Sequence, residues 1–149
     1  MSVEIEVHCP RRPDPEALAR MAAFAMRTIL GVPDGEIRFE ERERSWRFHW
    51  GEGAHVATFF APPTEFEVNG AWYLSFMPSA RGMAVPYLLM IVVSASAALL
   101  TGGTLDDDNF PFSRTDLDPE ILLAQVLREA PLPAEAAVHL LRTGQPAPA

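Results

Sequence analysis

A chain of 149 residues, 48 % of them hydrophobic, has the length of one ordinary domain and can bury a core without disulfide or metal staples. Its formal charge is −8 and all twelve positive side chains are arginine, which argues against nucleic acid as a direct partner and leaves a basic protein as the complementary one. Cys9 is the sole cysteine, so no disulfide can form within the chain, as suits a reducing cytoplasmic compartment.

The chain opens directly into Val3, Ile5 and Val7 alternating with Glu4, Glu6 and His8, the pattern of a half-buried strand and not of a signal peptide. A helix follows. Asp14 is a suitable N-cap, Pro15 suits the first helical position and Glu16 the positive end of the dipole, while Gly31 and Pro33 stop it. Leu18, Met21, Ala22, Ala25 and Ile29 are expected to line its core face.

Beyond that turn the period drops to two. Ile37 and Phe39, then Trp46, Phe48 and Trp50, define two strands of a hairpin. The run Glu40 to Arg44 is expected to be a solvated turn between them. A strand from His55 to Phe60 ends at Pro62-Pro63, and strands at Glu65 to Val68 and Ala71 to Phe76 flank Asn69-Gly70, a strong hairpin signal.

Gly82 to Leu105 is a run of 24 residues without one charge, and about Val85 to Thr101 reads as a helix apolar on all sides, closed by Gly102-Gly103. Its length also meets the criterion for a membrane span. Pro86, Tyr87, Ser94, Ser96 and Thr101 dilute it, and the apolar faces of the strands and other helices need a partner to cover them. The core reading is therefore preferred and membrane insertion is not expected. A short extended piece around Thr104-Leu105 follows, then helices opened by Asp118-Pro119-Glu120 and by Pro133. Residues 1–144 thus read as one α+β domain, an antiparallel sheet of five or six strands covered by helices, with Gln145 to Ala149 as a disordered tail.

Phosphate loops, nucleophile elbows, zinc-protease signatures and paired-cysteine motifs are missing from the sequence, and no cofactor or metal site is read from it. Asp106-Asp107-Asp108 is the densest carboxylate run, but three consecutive residues of an extended backbone cannot all face one ion. Recognition is the better use: carboxylates pair with arginines of a basic partner, and Phe110 and Phe112 just beyond supply apolar anchors. His49 and His55 fall on neighbouring strands with Glu52 between them, an alternative acid–base or metal trio. Half-exposed histidines flanking a turn are the simpler account of that trio. Cys9, beside His8 and Pro10, reads as a buried small hydrophobe in place of a nucleophile.

The apolar helix followed by Leu99-Leu100-Thr101-Gly102-Gly103-Thr104-Leu105-Asp106-Asp107, within this α+β order, resembles small bacterial immunity proteins of polymorphic-toxin systems. The resemblance implies a cytoplasmic protein that neutralises a cognate toxin by direct binding, with no catalytic residues of its own. Two other classes stay open. One is a small hydrolase-like enzyme using His49 or His55 with Glu52. The other is an acidic secretion-type chaperone, although the strand-first order departs from the helix-first pattern of those proteins.

Overall fold

The computed structural model describes residues 3–63, 71–106 and 112–148. Six strands form one antiparallel sheet: β1 (Ile5–Cys9), β2 (Ile37–Arg42), β3 (Ser45–Trp50), β4 (Ala54–Ala61), β5 (Trp72–Pro78) and β6 (Thr104–Asp106). Among the described residues four helices accompany it: α1 (Pro15–Leu30), α2 (Ala84–Thr101), α3 (Pro119–Glu129) and α4 (Ala134–Thr143). The strand order is β2-β3-β4-β5-β1-β6, so the first strand of the chain is inserted between β5 and β6. Among the expected elements, the strand at Glu65 to Val68 and the Asn69-Gly70 turn lie outside the described residues.

Local chemistry accounts for the helix ends. The Asp14 carboxylate accepts the Ala17 N–H at 3.2 Å, and Gly31 closes α1 in the left-handed region at φ 67°. Asp118 repeats the device at α3, accepting the Glu120 N–H at 2.9 Å. The buried stripe of α1 contains Leu18, Ala22, Ala25 and Ile29 as the spacing predicts; Met26 lies wholly within it, whereas Met21 is only half buried.

One turn differs from the sequence expectation. Glu40, Glu41 and Arg42 are strand residues that pair with Arg47, Trp46 and Ser45, and only Glu43-Arg44 turn the chain, with Arg44 at φ 61°. A mixed-charge run mimics a loop by composition. Here Glu40 faces Arg47 directly across the ladder, and opposite charges on directly paired positions favour the strand.

α2 is the centre of the core. It packs on β1, β4 and β5 and also touches α1, α3 and α4. By length and composition it is able to cross a membrane, yet thirteen of its eighteen residues are buried within the fold. Ile5, Val7, Trp46, Phe48, Val56, Leu74 and Phe76 supply the sheet side of this core. Two glycines end α2 for different reasons. Gly102 adopts φ 72° and its N–H caps the Ala98 carbonyl, while Gly103 lies so close to β1 that a Cβ there would stand 2.5 Å from the His8 carbonyl oxygen. The absence of a side chain at 103 lets β6 start beside β1.

Candidate functional site

Because side chains alternate across a strand, the residues between the core positions share the other face of the sheet. On β1 these are Glu6 and His8; on β5, Tyr73 and Ser75; on β4, His55; on β3, Arg47 and His49; on β2, Glu40. Glu6 pairs directly with Asp106 of β6, which puts both carboxylates on this same face. The first carboxylate of the aspartate run thus sits beside β1.

Glu6, His8 and Asp106 form the tightest grouping of such side chains among the described residues, each offering a ligand atom within 4.8 Å of the others. His8 Nε2 is 3.9 Å from Asp106 Oδ2, and both side chains are about 30 % exposed. Tyr73 donates its hydroxyl to Glu6 Oε1 at 2.9 Å, and its ring meets the His8 ring edge-on at a centroid distance of 6.0 Å. Burial and the Glu6 carboxylate hold the Tyr73 phenol well above its ordinary range. Ser75 donates to Glu4 one step along the same edge.

A second grouping lies on the same face, at the other end of the sheet. His49 and His55 are direct cross-strand partners with ring centroids 5.4 Å apart, as neighbouring strands allow. The carboxylate that joins them is Glu40, whose Oε2 is 3.3 Å from His49 Nε2. Glu52 is exposed in the turn between β3 and β4. Burial first, then the charges of Arg47 and His49, lower the His55 pKa; the hydrogen bond to His49 lowers that of Glu40. Glu40 was hidden from sequence reasoning by the loop expectation for its segment. Once β2 is taken through Arg42, the period of two places it on the histidine face.

The remaining sequence candidates separate. Asp107, Asp108 and Phe110 lie outside the described residues. Phe112 is half buried and packs against the core, and the neighbouring Ser113 N–H bonds the Arg142 carbonyl at 2.8 Å. Cys9 is fully buried, and burial pushes its thiol up, away from the thiolate that a nucleophile requires.

Where α2 ends, a groove of about 460 Å³ opens between Gly102-Gly103, β6 and the start of α3. Leu99, Leu105 and Leu117 give it an apolar lining, and Asp118 and Glu120 stand among them. Leu99, in the last turn of α2, is 39 % exposed. Comparison with protein-family models, curated proteins and solved structures finds no match.

Proposed function

We propose that this chain is a protein-binding module of the immunity-protein kind, which neutralises a basic toxin domain by covering it. The observation that carries the reading is the groove at the end of α2, where Leu99, Leu105 and Leu117 lie beside Asp118 and Glu120. Asp106 closes the strand that forms one wall. Apolar anchors beside carboxylates are what an arginine- or lysine-rich partner requires: the acidic groups accelerate and orient encounter, and the apolar contacts slow dissociation. The net charge of −8 acts in the same direction over longer range.

The test is co-expression with the toxin domain encoded beside the gene in its host, followed by binding kinetics on the purified pair. Growth rescue is expected, with an association rate that falls as salt is raised. Glu120→Gln and Asp106→Asn are expected to slow association, and Leu99→Ala to speed dissociation. Absence of rescue, or kinetics indifferent to salt and to all three substitutions, overturns the proposal.

One observation favours a second reading, a small acid–base enzyme: the opposed His49 and His55 with the Glu40 carboxylate at 3.3 Å. A histidine paired with a carboxylate is a competent proton acceptor. The two readings part on substitution of His49 and His55, which leaves a binding module active and abolishes an enzyme.

A further inference from the structure

Glu6 and Asp106 are direct cross-strand partners, a position at which like charges repel. His8 lies on the same face, with Nε2 3.9 Å from Asp106 Oδ2. All three residues present a ligand atom within 4.8 Å of the others. Around a tetrahedral zinc with bonds near 2.0–2.1 Å the donor atoms stand about 3.4 Å apart, so side-chain rotations of an ångström or less convert the observed spacing into a coordination shell. The outer shell is already built: Tyr73 donates to Glu6 Oε1 at 2.9 Å and packs edge-on against the His8 ring, the type of contact that fixes a ligand's orientation.

We propose that Glu6, His8 and Asp106 form a site for a divalent transition-metal cation, of which zinc is the best match. The imidazole selects against magnesium and calcium, which favour all-oxygen shells. Three protein ligands leave one coordination position for water or for a donor atom of a bound molecule. β1 and the short β6 supply the ligands, so the cation joins the edge strand to the strand beside it. Asp106 is shared with the proposed toxin surface, but cation binding is measured on the isolated chain and does not depend on a toxin partner.

The experiment uses the full chain alone, titrated calorimetrically with Zn²⁺ and optically with Co²⁺. One equivalent of each is expected to bind, Co²⁺ giving the visible absorption of a tetrahedral centre and millimolar Mg²⁺ failing to compete. Glu6→Gln and Asp106→Asn, near-isosteric changes whose folding circular dichroism verifies, are expected to weaken Zn²⁺ by more than tenfold each. Tyr73→Phe is expected to weaken it by about tenfold, the lower end of the effect of losing an outer-shell partner. The double variant His49→Gln, His55→Gln retains full binding. The proposal is overturned if no equivalent of Zn²⁺ binds, if Mg²⁺ competes equally, if folded Glu6→Gln and Asp106→Asn bind like the parent, or if binding is lost in the His49, His55 variant.

Discussion

Ser96 offers a sharp test of α2 as the centre of a protein core. Its side chain is fully buried and its hydroxyl has no hydrogen-bond partner among the described residues, whereas the equally buried Ser94 hydroxyl donates to the Met90 carbonyl at 2.6 Å. Replacing Ser96 by alanine removes an unsatisfied polar group whose burial costs about 1–3 kcal/mol. It also gains about 0.5 kcal/mol of helix propensity. The vacated space is roughly one oxygen atom and costs a few tenths of a kcal/mol at about 24 cal/mol per Å³. Ser96→Ala is therefore expected to stabilise the protein by about 1–2 kcal/mol, raising the melting temperature by roughly 2–8 °C for a domain of this size. Ser94→Ala behaves differently. It loses a hydrogen bond worth about 1 kcal/mol against about 0.5 kcal/mol gained in propensity, so its net effect is small and of opposite sign. Denaturant unfolding of the parent and both variants, with calorimetry for the melting temperatures, makes the comparison. Destabilisation by Ser96→Ala, or equal shifts in the two variants, refutes the reasoning and with it the dry environment assigned to this side of α2.

Gly103→Ala places a methyl against the His8 carbonyl oxygen; its expected cost is about 1–3 kcal/mol from overpacking, with hydrogen-exchange protection along the β1–β6 ladder lost as β6 moves off β1. The pH dependence follows from His55 and Glu40. Both pKa values are lowered in the folded state, His55 by burial and then by Arg47 and His49, Glu40 by its bond to His49. Above 6.5, the ordinary value for His55, the imidazole is neutral in both states; as the pH falls through it, the unfolded chain binds the proton first and stability declines. Glu40 adds stability above its ordinary 4.5 that disappears on further acidification. Chemical denaturation from pH 8 to 4 is expected to show this fall, with the step near pH 6 abolished in His55→Gln; persistence of the step there assigns it to another group. Finally, alanine at His49, Glu52 and His55 together is expected to leave toxin neutralisation intact, and its loss in a folded variant transfers the function to the enzyme reading.

Much of the fold was legible from local signals because the interactions behind them are local. Asp14-Pro15 and Asp118-Pro119 cap helices through backbone groups within three residues, and alternation along β1 and β3 reports one buried face whatever covers it. The uncharged run had to be a buried helix once the other elements were seen to lack a cover, and α2 fills that place. Composition misled at Glu40-Glu41-Arg42, where ladder pairing with β3, including Glu40 opposite Arg47, overrides the look of a loop. Strand order was the larger unknown. The period of Glu6 and His8 places them on a polar face, and Asp106 heads an acidic run, but only insertion of β1 between β5 and β6 brings 6, 8, 73 and 106 together. Those contacts span up to about a hundred residues of chain and depend on Gly103 letting β6 lie beside β1. Such pairings arise from the packing of whole elements, which is why capping and periodicity are written in the sequence while the grouping of Glu6, His8, Tyr73 and Asp106 exists only in three dimensions.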